Sequence, residues 1–470
     1  MSTMTDFSTH NPSTSAGLRR NLGLWAVVGL GLGYMTPTVI FDTFGLVSHK
    51  TNNVVPSAYL VALIVMLFTA ISYSRMARTF PSAGSAYTYA REAIHPNVGF
   101  MVGWTSLIDY VMLPLVNCLI IRNYLVALFP AFPEWFWVVV YCVVVTAIIA
   151  LTMRGTANVN MFLLVAAIAV MAVFVVLVVI QLDSGDGMHT LVSTNPFFHH
   201  GVDMSSVLVG ATIVCFSFIG FDAVTMYSEE AKNTNVVPRA IVWTVLIGGA
   251  LFLVAAYFTQ LRFPSVDDFP EEALNNSSLP YLGIEVGGRT LQAVLTAAGF
   301  CATLASGLAS HASVSRMLLV MGRNNVLPRK IFGYVSPKTR TPLFNVLLVG
   351  AISLLSIAFN LDTITSYINF GALIAFTFVN LSVLAWFAVR KKRFRTLRDI
   401  VLFVVLPLIG TAMTGLLWIH LQADALIVGL IWAGIGLLYL IYLSRGFRRP
   451  ISGFDESQPV TGFTKVPSEP

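Results

Sequence analysis

Three aspartates, Asp42, Asp109 and Asp222, stand in stretches that are otherwise almost wholly apolar. An ionised carboxylate at the centre of a membrane helix costs about 2.5–3.5 kcal/mol on insertion scales, so each needs a partner, a proton or a function. Asp109 lies about twelve residues into the apolar run 97–128, which at 1.5 Å per helical residue is near mid-bilayer. No Lys or Arg within its turn can pair it. Asp222 ends the segment CFSFIGFD (215–222), and Asp42 follows Pro37 by one helical turn and a half. Such carboxylates can hold a cationic ligand or load and release a proton. They can also cap a broken helix. The residue types leave these roles open; we expect Asp109 and Asp222 to bind a cationic substrate, with Asp42 on its entry path.

Aromatic residues stand close by in the sequence, among them Tyr34, Tyr110, Phe216, Phe218 and Trp104. A ring face attracts a desolvated ammonium by up to about 2 kcal/mol. Aromatics at helical spacing more often serve packing, so only Tyr110, beside Asp109, and Tyr34, Phe216 and Phe218, at the segments described next, join the candidate site. His311, among small residues in SGLASHASVSR, reads as a hydrogen-bonded packing histidine.

These groups need elements to hold them. Of 470 residues, 56% are hydrophobic and 11% charged, with mean hydropathy +0.78. A soluble chain carries roughly 25% charged residues, so lipid is the main solvent here. Runs of about 20 apolar residues mark membrane spans. They fall near 22–48, 54–78, 97–128, 134–152, 157–181, 204–229, 239–262, 288–320, 343–360, 364–388, 400–421 and 424–444. The expected fold class is an all-α integral membrane protein with twelve spans. Segments 1–20 and 446–470 read as disordered tails, the C-terminal one cytoplasmic like the first. No secretory signal peptide is evident. The four cysteines all fall in spans and read as buried small hydrophobes rather than a disulfide framework.

All but four of the 28 Lys and Arg (Lys50, Arg122, Arg262 and Arg289) fall on one side of this arrangement. The positive-inside bias then places both termini in the cytoplasm. The net charge of +6 is this bias and calls for no nucleic-acid partner. Half of the 22 acidic residues lie in or beside the opposite loops, as loops that must be polar but not basic require.

Two spans should break. GLGLGYMTPT (29–38) holds three glycines and Pro37, and CFSFIGFD holds Gly220 between aromatics. Glycine weakens a helix by about 1 kcal/mol, and proline removes a donor and clashes with the preceding turn. Unpaired backbone at membrane depth survives where it lines a cavity or binds something. Breaks at matching positions five spans apart, each near a Phe–Asp pair (41–42 and 221–222), indicate inverted repeats, about 22–181 and 204–388, around a midplane site. Two further helices, about 400–444, follow. The sequence offers no metal-ligand cluster, no nucleophile–base spacing and no cofactor motif, so we expect a transporter rather than an enzyme.

Several motifs resemble the amino acid–polyamine–organocation superfamily. FPSAGSAYTYA (80–90) with GFMVGW (99–104) is similar to the stretch joining its second and third spans. FSFIGFDAVTMYSEEAKNTNVVPRAI (216–241) is similar to its sixth span and following loop, and SRMLLVMGRNNVLP (315–328) with TP at 341–342 to its loop after span eight. Within it, TPTVIFDTFGLVS and LASGLASHASVSR look like bacterial putrescine importers. The resemblance implies a five-plus-five inverted-repeat fold and alternating access. It also implies uptake of putrescine or a related diamine across the bacterial inner membrane, driven by a proton or charge gradient. A permease or exchanger for cationic amino acids or agmatine is the alternative within the superfamily. Amino-acid members carry a Gly–small–Gly turn in span one whose N–H groups hold a carboxylate. The region here is Tyr34–Met35–Thr36–Pro37–Thr38, with one donor removed, which favours the diamine. Some proton-coupled relatives place a Lys in span five; NMFLLVAAIAVMAV (160–173) has none.

Overall fold

The computed structural model describes residues 22–446 except 82–84, 152–156, 186, 230, 268, 324–325 and 340. The expected terminal tails lie outside the described residues, Gly446 apart. The chain is helical: α1 (Leu24–Met35), α2 (Val39–Thr51), α3 (Val55–Thr79), α4 (Ser85–Ala93), α5 (Pro96–Leu128), α6 (Glu134–Leu151), α7 (Ala157–Asp183), α8 (Met204–Phe218), α9 (Val236–Arg262), α10 (Glu271–Asn275) and α11 (Leu279–Arg323). There follow α12 (Arg329–Phe332), α13 (Leu343–Ser353), α14 (Leu361–Val383), α15 (Leu397–Ile400), α16 (Leu406–Ile419) and α17 (Ala423–Leu443). A 3-10 turn, Ala223–Glu229, continues beyond α8. Among the described residues no strand forms; one isolated bridge joins Leu22 to Ala231.

Ten helical runs are long and apolar enough to cross a membrane among the described residues, and the bent pair α1–α2 makes an eleventh if it is one span. Leu343–Ala358 is apolar but shorter. Helix starts follow local chemistry. His95 Nδ1 accepts from the Asn97 amide (3.2 Å) ahead of Pro96, which needs no amide partner in the first turn. Asp203 Oδ1 and Asn360 Oδ1 accept from the amides three residues on, at 3.3 and 2.9 Å.

Both expected breaks occur. Thr36 takes a left-handed backbone (φ 51°), Pro37 follows, and α1 and α2 meet at 47°. After Phe218 the chain turns extended at Ile219, and Gly220 adopts φ 123°, which an L side chain rarely adopts. The other spans, expected as uninterrupted helices, are corrected in three places: a 3-10 stretch occupies Leu354–Ala358, and π-helical turns occupy Leu384–Arg390 and Val401–Val405. Gly287 and Gly288 interrupt α11 where the expected span 288–320 begins. The cysteine expectation is corrected once: Cys118, Cys142 and Cys215 are buried, but Cys301 is exposed on α11.

The core is built on α3 and α5. The α3 face carrying Tyr59 and Tyr73 packs against α8, α9 and α14, and α5 packs against α11, α14 and α17. Trp104 of α5 and Trp432 of α17 stack at 4.9 Å and exchange Nε1–H bonds to each other's carbonyl oxygens (3.0 and 2.8 Å). Trp104 is therefore a clamp between helices. His311 is buried with Nε2 2.9 Å from the Val346 carbonyl, the packing role expected of it. Arg122 and Lys50 sit near helix ends as counted, but paired: Arg122 is buried against the Ser356 carbonyl (3.1 Å) and Glu134 (3.6 Å), and Lys50 meets Asp362 at 3.2 Å. Glu230 and the Glu229 side chain lie outside the described residues.

α17 sits so close to α14 that a Cβ at Gly429 would come within 2.3 Å of the buried Phe370 ring. Gly429→Val should therefore destabilise the fold by about 1–3 kcal/mol, the usual cost of overpacking. A drop of several degrees in the thermal midpoint of the detergent-solubilised protein is the expected readout. An unchanged midpoint would mean that α17 does not pack there.

Candidate functional site

The two breaks touch. A Cβ on Gly220 would fall 2.7 Å from Tyr34 Cδ1 and 3.1 Å from the Met35 amide nitrogen, so glycine is what lets the second break lie against the first. Ile219, at the second break, lines two cavities, one on either side of it.

The first cavity is lined by Asp109 and Tyr110 of α5, Asp222 at the second break, and Ser106, Tyr87 and Phe376, among others. Asp109 is buried and its Oδ1 has no hydrogen-bond partner. It is held in place from behind, since Gly371 of α14 leaves no room for a side chain against the Asp109 Cβ (2.8 Å) and amide (3.0 Å). Asp222 Oδ1 accepts from the Gly220 amide at 3.2 Å, and the Asp222 carbonyl oxygen accepts from the Thr225 amide (3.0 Å) and hydroxyl (2.7 Å). The carboxylate thus steadies the turn while facing the cavity. Among the described residues no Lys or Arg lies in ion-pair range of either carboxylate. Two acids on one small cavity repel when both are charged. A cation between them, or a proton on one, relieves that repulsion.

The second cavity is lined by Tyr34, Thr36, Asp42, Asn117, Phe216 and Thr303, among others. Asp42 is fully buried in the first turn of α2. Its Oδ1 accepts from Tyr124 Oη (2.7 Å) and Ser277 Oγ (2.6 Å), while Oδ2 is unpartnered.

The seven expected site residues therefore divide. Asp109, Asp222 and Tyr110 meet at one cavity, and Tyr34, Phe216 and Asp42 at the other. Phe218 lines neither: it is fully buried, edge-on to Phe252 at 5.5 Å and tilted against Tyr59 at 6.5 Å. Sequence reasoning missed Ser106, Asn117 and Thr303. The first two had a legible signal. Gly103, Ser106, Tyr110, Leu113, Asn117 and Ile120 fall three or four residues apart, one face of α5 that runs along both cavities. Thr303 carried no such mark. Among the described residues no group of three or more His, Cys, Asp and Glu could hold a metal ion.

Comparison with known proteins agrees with this architecture. The family model described as "Amino acid permease" matches residues 26–447. The low-affinity putrescine importer PlaP of Escherichia coli (strain K12) is 46% identical over 451 residues, 95% of this chain and 99% of that one. The chloroplastic cationic amino acid transporter 7 of Arabidopsis thaliana is 28% identical over 394 residues, 77% of this chain and 64% of its own length. The branched-chain amino acid permease BcaP of Bacillus subtilis (strain 168) is 25% identical over 464 residues, 92% and 94% of the two chains. With a match that runs from α1 to just past α17, and with paired helix breaks beside buried carboxylates, this chain belongs to the amino acid permease family.

Proposed function

We propose that this protein imports putrescine, or a diamine close to it, across the bacterial inner membrane by alternating access. The observation that carries this reading is the pair Asp109 and Asp222, two carboxylates without a cationic partner on one cavity at the second break. A diamine brings two positive charges and no negative one, which suits two carboxylates. The 46% identity to a putrescine importer over nearly the whole chain supports the same substrate. In this reading Asp222 and Asp109 hold ammonium groups and Tyr110 packs beside them. Tyr34 and Phe216 close the site from the neighbouring cavity.

The architecture we propose has twelve spans: the ten long runs, the bent pair α1–α2, and Leu343–Ala358. Spans one to five and six to ten form the inverted repeats, and the last two helices are additional. Both termini are cytoplasmic, as the distribution of Lys and Arg supports. A fluorescent protein fused to the C-terminus should fluoresce and alkaline phosphatase fused there should stay inactive; the reverse pattern would invert the topology.

Cationic amino acids are the alternative substrate, and a relative at 28% identity transports them by its name. Their α-carboxylate would face two aspartates, beside a first break in which Pro37 offers no N–H. Uptake of labelled putrescine in the presence of unlabelled putrescine, cadaverine, agmatine, arginine and lysine tests this. Diamines should compete strongly. Competition by arginine and lysine, with putrescine ineffective, would overturn the reading.

Asp222→Asn and Asp109→Asn should each raise the KM for putrescine by roughly 10–100-fold, the loss of one charge-assisted hydrogen bond of about 1.5–3 kcal/mol, with membrane insertion intact. Tyr110→Leu should weaken uptake less than either. Wild-type saturation curves in both aspartate variants would remove them from the site.

A further inference from the structure

The second cavity holds a carboxylate that the proposed diamine site does not use. Asp42 combines three features. It is wholly buried and lines a cavity; it fastens a distant segment to α2; and one of its oxygens has no partner.

The fastened segment is the turn between α10 and α11. Ser277 Oγ donates to Asp42 Oδ1 (2.6 Å). Next to it, Ser278 Oγ donates to the Phe41 carbonyl oxygen (2.6 Å) and accepts from the Gly45 amide (2.9 Å), while the Ser278 amide donates to the Asp42 carbonyl oxygen (3.1 Å). Gly45 is needed for this approach, because a Cβ there would lie 2.4 Å from the Ala273 carbonyl oxygen. Under the proposed topology the turn lies at the outer face, over the second half of the broken first span. Tyr124 of α5 completes the carboxylate's environment at 2.7 Å.

Among the described residues no fixed cation neutralises Asp42. The groups that face it are tyrosines: Tyr124 directly, Tyr34 across the cavity, and Tyr59 of α3, whose hydroxyl lies 3.1 Å from the Thr43 hydroxyl. Charged residues on the elements packed against α2 are engaged or turned away. Glu271 and Glu272 of α10 and Glu285 and Arg289 of α11 are exposed, Lys50 pairs with Asp362, Arg262 of α9 donates to Gln181 (2.8 Å), and Asp203 caps α8. A carboxylate held by two O–H donors, with no counter-cation and one free oxygen, is built to exist in both protonation states.

We propose that Asp42 is the proton-coupling site of the transporter and that its charge sets the grip of the α10–α11 turn on α2. A hydrogen bond to a carboxylate is roughly twice as strong as one to a neutral carboxyl. A proton arriving from the outer side on Oδ2 converts carboxylate to carboxylic acid, loosens Ser277 and favours opening of the outer face. Loss of that proton to the cytoplasmic side, after the substrate has passed, restores the carboxylate and tightens the turn. This assignment rests on the diamine-import reading above, since the coupled solute is the diamine.

The test is the ratio of protons to putrescine entering proteoliposomes at zero membrane potential, clamped with valinomycin and potassium, with a pH-sensitive dye trapped inside. The wild type should show putrescine-dependent proton entry. Asp42→Asn should lose it whatever its remaining uptake, and Asp42→Glu, which keeps a titratable carboxyl, should retain it. Proton entry at the wild-type ratio in Asp42→Asn overturns the proposal. So does wild-type putrescine uptake with no proton entry, which leaves the diamine reading standing; absence of putrescine uptake by the wild type overturns both. Should Asp42→Asn carry nothing, Asp42→Glu decides: coupled uptake supports the assignment and uncoupled uptake overturns it.

Discussion

Polar atoms placed in hydrocarbon must find partners inside the protein, and nearly every irregular feature of this chain answers to that requirement. Two helices stop being helices in the middle of the bundle, and they stop where they touch, at Gly220 against Tyr34 and Met35. The contact removes one set of unpaired groups from lipid and creates another that faces cavities. Asp222 illustrates the exchange. Its Oδ1 accepts from the Gly220 amide and its carbonyl oxygen from Thr225, so the residue that could bind a cation also holds the broken backbone in shape. Candidate site and break are one structure.

The position of both breaks was legible in the sequence, though for partly mistaken reasons. Pro37 and Gly220 mark them, as glycine and proline chemistry requires. The three glycines of GLGLGYM do not break anything: they lie within α1, and two of them serve close approach, Gly29 against Met161 and Gly31 against Val224 and Thr244, while a Cβ at Gly33 would meet nothing within 4 Å. Membrane helices use glycine for contact as readily as for bending. Phe216 and Phe218 were grouped in one site, yet residues two apart on a helix point roughly 200° apart, so one faces a cavity and the other the core. That distinction could have been drawn from periodicity alone.

What the sequence could not disclose is what holds Asp42, expected only on the entry path, apart from the other two acids. Its partners come from 82 and 235 residues away, as Tyr124 and Ser277, and nothing in their local patterns announces them. Hydroxyl donors are too common in the chain to be singled out by type. Conversely, the α5 stripe that carries Ser106, Tyr110 and Asn117 along both cavities follows ordinary helical spacing, and Asp109 marks its centre. A helix that runs past both sites is a rigid ruler between them, and its far end reaches Asp42 through Tyr124.

This division of acids bears on selectivity. Two carboxylates share one cavity, and a third, with two donors of its own, stands apart. If all three served the substrate, the protein would bring three negative charges to a diamine's two positive ones, and the surplus charge would remain buried at a cost of several kcal/mol. In the proposed reading, with Asp109 and Asp222 against the diamine, the first cavity is neutral when loaded, and when empty it is repulsive unless one carboxylate takes a proton. That repulsion would disfavour an empty closed state and tie closure to the presence of substrate. A monoamine would leave one charge unmet, and a zwitterion with a cationic side chain would add a carboxylate beside two others. Under the proposed reading the arrangement would select by charge balance as much as by shape, and it would leave Asp42 free to answer to a proton.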